Sequence, residues 1–500
     1  DVLGSRGLGD VYKRQILTID QSTFSTKVFI IDEESNMLAS SSYQHQQYYP
    51  QNGWVEHDGE EIYTNLLKAV STLKKEFPEL VAKVAGIAIT NQRETTILWD
   101  KRTGKPVHHA IVWQCRRTAS MCEKLKIHQD LVEKLTGLKI NPYFSAPKIK
   151  WLIENCKLDE IDNYAFGTME SWLIYNLTNG KKHVSDVTNA SRTLLMNIET
   201  LKWDEMLCSI FDIPSIILPA ILNNDEIFGY SDVNGILDHE VPICGVIGDS
   251  QAALYAQHCF ETGSMKVTLG TGSSVMINAG SCKPQLTKGI VNAVGWCVEN
   301  RIIYAQEAII NCSCDTLNWL KNQIGLFKKE AQLNSIWDEI ENNDGVYLVP
   351  AFVGLSVPWW NDQARASICG LARNHDYKYI LRAGLESIAY QIYDAATALG
   401  YTSNQIMNID GGAVSNIGLL QFIADILNVE VKVSYNYALS AMGAYEISRL
   451  KLFGQTEYYE DKKKYFPTMD EKVRNANIYG WHQAVKGVLA VAKLDNEVEI

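Results

Sequence analysis

The residues with the clearest chemical potential lie in two short segments near the middle of the chain. GVIGDSQAAL (245–254) places Asp249 directly after an apolar strand-like run, and VTLGTGSSVM (267–276) contains Thr271 between two glycines. A carboxylate can take the proton from a hydroxyl, and successive backbone N–H groups in a turn of small residues bind anions. This combination suits deprotonation of a hydroxyl beside a bound polyphosphate.

A third segment, near the start of the chain, has a similar character. LTID (17–20) leads through QSTFST (21–26) into the apolar VFIID (28–32), which predicts a strand, a hydroxyl-rich turn and a second strand. The tip of such a hairpin can hold phosphate, and Asp20 at the end of its first strand can face a metal ion. Because hairpins with serine and threonine at the tip are common, each segment alone is a weak signal.

Length and composition narrow the class of protein. The chain has 500 residues, 46% of them hydrophobic and 21% charged, which predicts two large globular domains rather than one core. The net charge of −12 argues against a nucleic-acid partner and favours a small-molecule substrate. The eleven cysteines lack paired spacing, and Cys312 and Cys314 have no further ligands at zinc spacing. We therefore expect reduced thiols and a cytoplasmic location.

The N-terminal region does not match the pattern of the rest. Residues 1–15, DVLGSRGLGDVYKRQ, lack an initiator Met and fit neither helix nor strand periodicity, so we interpret them as a non-native leader. No apolar run reaches the roughly 18 residues that a membrane span requires, and no secretory pattern is present. We expect no membrane contact.

Strand-like and helix-like segments alternate along the chain. Apolar runs such as 84–90 alternate with amphipathic stretches such as 379–399, which is an α/β pattern. A strand that ends in aspartate before a turn of small residues occurs in each half, at Asp20 and at Asp410. This duplicated plan predicts two related lobes with a ligand cleft between them, and a boundary near residue 256.

Five longer strings give the chain a family resemblance. They are ITNQRETTILW (89–99), IVWQCRRTA (111–119), SDVTNASRT (185–193), GDSQAAL (248–254) and IDGGAVSN (409–416). They resemble the FGGY carbohydrate kinases, and among these most of all the glycerol kinases. The resemblance implies a two-lobed α/β ATPase fold of the actin-like, ribonuclease-H-like type. Residues 16–256 would form the lobe that binds polyol and phosphate, and residues 257–500 the lobe that binds the nucleotide.

The implied activity is ATP-dependent phosphorylation of a small polyol, with glycerol as first choice, ATP and Mg²⁺ as cofactors, and a homodimer or homotetramer as the assembly. Asp249 matches the general base, and Asp20 matches the carboxylate that holds Mg²⁺. The residues that match polyol-binding positions are Arg93, Glu94, Trp113, Tyr143, Asp249, Ser250 and Ser274. Those that match nucleotide-binding positions are Thr23, Phe24, Ser25, Lys27, Thr271, Cys314, Asn318, Gly412 and Asn416. Without the resemblance, adjacent Arg93 and Glu94 would be interpreted as a surface ion pair of little energetic value.

The chain departs from the usual glycerol kinase pattern at several of these positions. Ser250 follows the catalytic aspartate where glutamine is usual, and Ser274 stands where phenylalanine is usual. Smaller side chains with hydroxyl groups would leave room for a four- or five-carbon substrate of the tetritol, xylulose or ribulose type, so this alternative stays open. A polar site favours a ligand that leaves no polar group unpaired. Lys27 replaces arginine, and Cys314 and Asn318 replace glycine and glutamine, which implies looser nucleotide contacts.

Two further alternatives stay open. A regulatory ATPase of the same fold would hydrolyse ATP without any sugar. A non-catalytic sugar-binding relative would not need both carboxylates, so the presence of Asp249 and Asp20 argues against it.

Overall fold

The computed structural model describes residues 14–403, 405–436, 438–454 and 462–497, with side chains described as far as residue 493. Residues 1–13, most of the segment interpreted as a leader, lie outside the described residues. The first strand begins at Gln15, whose side chain is buried, so regular structure starts one residue before the predicted boundary at 16.

The regular elements alternate as the α/β pattern predicts. The strands are β1 (Gln15–Gln21), β2 (Ser25–Asp32), β3 (Met37–Gln44), β4 (Glu56–His57), β5 (Val84–Asn91), β6 (Ile97–Asp100), β7 (Lys105–Pro106), β8 (Ala110–Ile111), β9 (Tyr164–Gly167), β10 (Val184–Asp186), β11 (Met196–Asn197), β12 (Lys202–Trp203), β13 (Ala220–Leu222), β14 (Gly229–Ser231), β15 (Val241–Gly248), β16 (Met265–Leu269), β17 (Ser273–Gly280), β18 (Val291–Val298), β19 (Arg301–Ile310), β20 (Tyr347–Val349), β21 (Ser367–Cys369), β22 (Ile406–Gly411), β23 (Glu430–Val433) and β24 (Lys463–Tyr465). The helices are α1 (Gly59–Glu76), α2 (Pro78–Val81), α3 (Ala119–Leu125), α4 (Gln129–Thr136), α5 (Ser145–Asn155), α6 (Met169–Leu177), α7 (Val187–Ala190), α8 (Glu205–Ile210), α9 (Asp249–Ala256), α10 (Asp315–Asn322), α11 (Ala331–Glu339), α12 (Tyr377–Ala398), α13 (Ile417–Leu427), α14 (Leu439–Phe453) and α15 (Glu471–Glu497).

The described chain forms two compact units. The first contains residues 14–256, 293–303 and 438–454, and the second contains residues 257–292, 304–436 and 462–497. The first change of unit falls between Ala256 and Gln257. The predicted lobe 257–500 is nevertheless not a single unit, because α14 packs on β1, β5 and β15 and so returns to the first unit. The predicted ligand cleft between the lobes stays a prediction.

The first unit is built on a six-stranded sheet of order β14-β15-β5-β1-β2-β3. Strand β5 lies between β1 and β15 and is parallel to both. The last residues of the three strands, Gln21, Asn91 and Gly248, lie side by side. Because parallel strands end at the same edge of a sheet, the segments that follow them meet there. This arrangement brings together three motifs that are far apart in sequence.

Helices cover both faces of this sheet. Asp58 caps α1 by accepting hydrogen bonds from the backbone of Glu60 and Glu61, and the apolar face of α1 is buried against the sheet. Helix α14 approaches β15 so closely at Gly245 (φ +74°) that a side chain there would clash with the carbonyl oxygen of Ala444. Only glycine suits this position.

The second unit contains a seven-stranded sheet of order β18-β19-β17-β16-β22-β23-β24. Strands β16 and β22 are parallel, with Leu269 opposite Gly411, so the turns that follow them are neighbours. Helix α12 buries the predicted apolar stripe, whose members are Leu381, Leu385, Ile388 and Ile392. Arg382 and Glu386, predicted on another face, are also buried and pair with each other at 2.7 Å.

Among the described residues, no helix is both long and apolar enough to cross a membrane. All eleven cysteines lie in the described part of the chain and are free thiols.

Candidate active site

The carboxyl ends of the three parallel strands of the first unit form the candidate site. Strand β1 carries Asp20, the residues after β5 include Arg93 and Glu94, and β15 leads directly to Asp249, the first residue of α9. Nε of Arg93 lies 3.1 Å from Oδ1 of Asp249, and Nη1 of Arg93 donates a hydrogen bond to Gln251 at 3.2 Å. The structure thus joins the predicted polyol-binding arginine to the predicted base.

The side chain of Asp249 is fixed by hydrogen bonds but remains accessible to solvent. The backbone N–H of Ser250 donates to its Oδ1 at 2.7 Å, and the Ser250 hydroxyl lies 3.4 Å from the same oxygen. Asp249 is the first residue of α9, and the start of a helix is a favourable place for a carboxylate. The side chain of Asp249 is 37% exposed, whereas that of Arg93 is 6% exposed. A carboxylate that is fixed but accessible can act as a general base.

Arg93 and Glu94 are not on the surface: both are buried, Arg93 is paired with Asp249 and Glu94 with Arg192. Glu94 accepts a short hydrogen bond from Nε of the buried Arg192. Sequence reasoning missed Arg192, although it lies within the quoted string SDVTNASRT (185–193). The only sign of its importance in the sequence was its position inside this long and unusual string.

The predicted aromatic walls lie against each other. The rings of Trp113 and Tyr143 meet edge to face with centroids 5.5 Å apart, and both side chains are half-buried. The guanidinium of Arg192 lies 5.3 Å from the ring centre of Phe144 and 5.9 Å from that of Tyr143. The result is an apolar wall with cationic and carboxylate groups beside it, which suits a short polyol. Phe144 was not predicted.

The first phosphate turn is a tight hairpin tip between β1 and β2. The backbone N–H and the hydroxyl of Ser22 both bond to the carbonyl of Ser25, at 2.9 and 3.0 Å, and Phe24 at the tip is 63% exposed. The indole N–H of Trp113 donates to Oγ1 of Thr23 at 3.1 Å. The predicted phosphate turn therefore touches the predicted polyol wall.

Asp20 has the surroundings expected of a carboxylate that faces a cation. Burial, reinforced by the negative charge of Asp249 and opposed by Lys27, raises the pKa of Asp20 to about 6. Lys27 lies opposite Asp20 in the register of β1 and β2. Two carboxylates that repel each other favour a bound cation. In the described part of the chain, no group of three or more His, Cys, Asp or Glu residues could hold a metal. Asp20 is nevertheless compatible with Mg²⁺, because this ion keeps several bound waters and takes few protein ligands.

A buried polar network lies behind Asp249. Oγ1 of Thr188 accepts the backbone N–H of Gly248 at 2.9 Å and donates to the carboxylate of Asp186. Asn224 joins Asp186 (3.0 Å) to the carbonyl of Val246 (2.7 Å). This network fixes the end of β15, and hence the residue that follows it. The string 185–193 was noticed in the sequence, but this role was not predicted.

The same network reaches the end of β5. Asn91 exchanges hydrogen bonds with Asn189 at 2.9 and 3.0 Å and donates to Glu170 at 3.0 Å. Burial and the nearby charge of Asp186 raise the pKa of Glu170. A buried carboxyl with a raised pKa therefore lies beneath the strand ends and accepts a hydrogen bond from Asn91.

In the second unit, the predicted nucleotide residues form two groups. The carbonyl of Thr271 accepts the backbone N–H groups of Ser313 (2.9 Å) and Asp315 (3.2 Å), and that of Gly270 accepts the N–H of Cys314 (3.2 Å). Cys314 thus lies at the start of α10, whose first turns also carry Asn318. The turn after β16 and the start of α10 form one connected structure.

The other group follows β22. A side chain at Gly411 (φ +105°) would clash with the carbonyl oxygen of Leu269, while Gly412 has open space where a side chain would be. The side-chain amide of Asn416 accepts from Trp337 (2.8 Å) and from the backbone of Leu419 (2.9 Å), and donates to the carbonyl of Leu333 (3.2 Å). That amide shapes the turn, so the exposed backbone at Gly412 is the part open to a ligand.

Two residues of the second unit, Ser274 and Asp410, have buried polar partners. The hydroxyl of Ser274 donates to the buried Glu307 at 2.8 Å, so it is tied to a carboxylate. Asp410, compared in the sequence with Asp20, is buried and bonds to Gln257, with Lys266 nearby. Burial raises the pKa of Asp410. Like Asp20, Asp410 lies at a strand end and has a pKa that burial raises and a nearby lysine opposes; Asp410 also belongs to an internal network with Gln257.

Comparison with known proteins gives the class of this protein. Residues 15–256 match the N-terminal domain of the FGGY family of carbohydrate kinases, and residues 265–445 match its C-terminal domain. The chain belongs to the FGGY family of carbohydrate kinases.

Within that family, the similar full-length relatives include several glycerol kinases. Glycerol kinase 1 of Thermotoga maritima is 45% identical, with 95% of this chain and 99% of that protein covered. The glycerol kinase of Desulfitobacterium hafniense is 39% identical, with 95% and 100% covered. The crystal structure of Plasmodium falciparum glycerol kinase with ADP superposes with a TM-score of 0.89 at 36% identity, covering 95% of this chain and 98% of that one. A xylulose kinase of Lactobacillus acidophilus, at 20% identity and a TM-score of 0.85, shares the fold.

Proposed function

We propose that this protein is a glycerol kinase, which transfers the γ-phosphoryl group of ATP to a terminal hydroxyl of glycerol and forms glycerol 3-phosphate. The observation that carries the proposal is the contact between Arg93 and the accessible Asp249, beside the Trp113–Tyr143 wall. The glycerol kinases at 45% and 39% identity over nearly their whole length support the same substrate.

In this proposal the first unit binds and orients the polyol. Arg93 offers donors and Glu94 an acceptor to adjacent hydroxyls, while Trp113 and Tyr143 flank the carbon chain. Asp249 takes the proton of the attacking hydroxyl as the phosphoryl group is transferred. Because the transition state of such transfer is loose, the protein contributes mainly position and charge stabilisation.

The hairpin tip of residues 22–25, with Lys27 behind it, supplies N–H groups and positive charge for the transferring phosphates. Asp20 would hold Mg²⁺ through water, and the bound ion would neutralise charge on the ATP phosphates. The negative charge of Asp249 contributes to the raised pKa of Asp20, so a cation bound at Asp20 would also reduce the repulsion between the two carboxylates.

The second unit supplies the remaining nucleotide contacts in this proposal. The Thr271 turn offers backbone N–H groups to phosphate, and the open backbone at Gly412 admits the adenosine. Cys314 and Asn318 lie at the start of the helix that follows the Thr271 contacts, where a nucleotide ring would reach them.

A kinase for a four- or five-carbon polyol or ketose is the second candidate, because Ser250 and Ser274 are small and polar. The hydroxyl of Ser274 donates a hydrogen bond to Glu307, and in this proposal its oxygen accepts a hydrogen bond from an additional substrate hydroxyl. This arrangement favours more oxygenated substrates of the tetritol, xylulose or ribulose type.

We further propose that the protein acts in the cytoplasm as a homodimer or homotetramer, with no nucleic-acid or membrane partner. The eleven free thiols support a reducing compartment, and the net charge of −12 supports the lack of a nucleic-acid partner. Light scattering during size-exclusion chromatography measures the assembly directly.

The decisive experiment is a substrate panel assayed by coupled release of ADP. Glycerol, erythritol, xylitol, ribitol, xylulose and ribulose are compared by kcat/KM, with a reaction lacking acceptor as the control. The proposal expects glycerol to have the largest value. A larger value for a four- or five-carbon compound would select the second candidate, and ADP release that does not depend on acceptor would indicate an ATPase.

A further inference from the structure

We infer that Lys148, a buried lysine on α5, is a positioning residue that holds the polyol pocket in shape by joining two of its walls. The inference deepens the proposed function, because the pocket it serves is the one proposed to bind the polyol. It concerns a residue to which neither the sequence motifs nor the proposed mechanism gives a role.

The geometry places the lysine between two predicted polyol-binding residues. Nζ of Lys148 donates to the backbone carbonyl of Glu94 at 3.2 Å and to that of Tyr143 at 2.5 Å. Glu94 follows β5, and Tyr143 precedes α5, so these two residues come from separate parts of the fold. One ammonium group therefore fixes the distance between the carboxylate side and the aromatic side of the pocket.

Glu94 needs such support because of its backbone conformation. Its φ of +61° is in the left-handed region, which is unfavourable for a residue with a long side chain. Its carbonyl accepts hydrogen bonds from Thr96 (3.0 Å) and Ser145 (3.2 Å) as well as from Lys148. In this conformation the Glu94 side chain accepts a hydrogen bond from Arg192, so the three donors stabilise the arrangement that the polyol would meet.

Burying Lys148 costs free energy, which argues that this residue does more than fill space in the core. The side chain is fully buried in the first turn of α5, where the helix dipole also disfavours positive charge. Burial lowers the pKa of Lys148 to about 7, opposed by the negative charge of Glu94 and by the nearby Cys115 and Cys122. An apolar side chain would pack there without this cost. Its hydrogen bonds to the pocket backbone are the compensating interaction.

The test compares Lys148→Met with Lys150→Met. Methionine keeps the length and volume of the lysine stem and removes both hydrogen bonds. Lys150 lies on the same helix and pairs with Glu154 and Asp212, away from the pocket residues, so its replacement controls for loss of a charge from α5. We expect Lys148→Met to raise KM for glycerol at least tenfold while KM for ATP changes less than twofold. Lys150→Met should change neither.

A second measurement does not depend on catalysis. Hydrogen–deuterium exchange of the substrate-free protein is followed in peptides that cover residues 91–98 and 139–147. Both peptides should exchange faster in Lys148→Met than in the wild type or in Lys150→Met. Equal exchange in all three proteins would overturn the inference, and so would an unchanged KM for glycerol in folded Lys148→Met.

The two proposals can fail separately. A wild-type protein that phosphorylates no polyol would refute the proposed function, while the exchange measurement would still decide the role of Lys148. If Lys148→Met does not fold, Lys148→Gln replaces it, because glutamine is polar but one atom shorter and cannot span both carbonyls as lysine does. The same exchange result is expected, and its absence would again overturn the inference.

Discussion

Nε of Arg93 lies 3.1 Å from Oδ1 of Asp249, although the two residues are 156 positions apart in the sequence. The arginine is buried and the aspartate is accessible. A substrate hydroxyl beside Asp249 would therefore meet a fixed positive charge and a fixed base together. This relationship gives the proposed mechanism its most direct test.

Replacing Asp249 with asparagine keeps the shape of the side chain and removes the base. Turnover should fall by about 10²–10⁴-fold, since general-base catalysis contributes that much. KM for ATP should stay within about threefold of the wild-type value, because asparagine still accepts a hydrogen bond from Arg93. Steady-state kinetics with glycerol and ATP measure both.

The control for this substitution is Asp238→Asn, which removes an exposed carboxylate paired with Lys74. It should leave turnover unchanged. If Asp249→Asn turned over like the wild type, Asp249 would have no place in the mechanism.

Thr188→Val tests the network behind the base. The variant removes the acceptor for the Gly248 N–H and the donor to Asp186, both buried. We expect a loss of about 1–3 kcal/mol in the free energy of unfolding. We also expect kcat to fall at least fivefold, because Gly248 precedes Asp249. Chemical denaturation and kinetics measure the two effects.

Thr193→Val is the matched comparison for Thr188→Val. Thr193 is also buried and bonds to the carbonyl of Ala190 and the N–H of Leu195, but it does not bond to β15. It should lose a similar amount of stability and keep its kcat. An equal fall in kcat for both variants would show that general destabilisation, rather than the position of Asp249, is responsible.

The double variant Ser250→Gln with Ser274→Phe tests substrate choice. It restores the usual glycerol kinase side chains and removes the hydroxyl bonded to Glu307. The ratio of kcat/KM for glycerol to that for xylitol or ribulose should rise about tenfold, which corresponds to about 1.4 kcal/mol. An unchanged ratio would show that these positions do not select the substrate. Each single variant, measured in parallel, separates the two contributions.

Glu170→Gln should change the pH dependence of stability. The pKa of Glu170 is raised in the folded protein by burial and by Asp186, so the folded state holds this proton above the unfolded value near 4.5. The stability that this group contributes is present below that value and is lost as the pH rises. The melting temperature of Glu170→Gln relative to the wild type should therefore increase between pH 5 and pH 8.

Glu154→Gln, which alters an exposed carboxylate on α5, is the control for that experiment. Its melting temperature should follow the wild type across the same pH range. A constant difference between Glu170→Gln and the wild type would contradict the raised pKa.

The sequence by itself determined the local features of this protein. Alternating apolar periodicity gave the α/β class, and small-residue turns after apolar runs located Asp20, Asp249 and Thr271 at strand ends. These features depend on neighbouring residues in the chain, whose effects on backbone conformation act over a few positions. The quoted strings also contained Arg192 and Thr188, without indicating what those residues contact.

Tertiary structure alone decided which of these features meet. Adjacent Arg93 and Glu94 have different partners, Asp249 and Arg192, and Glu94 has a left-handed backbone conformation that the sequence did not predict. Helix α14 joins the first unit, and Lys148 reaches two carbonyls of the pocket, through packing that sequence periodicity does not specify. Long-range contacts depend on strand register and helix packing, and one sequence pattern is compatible with many such arrangements.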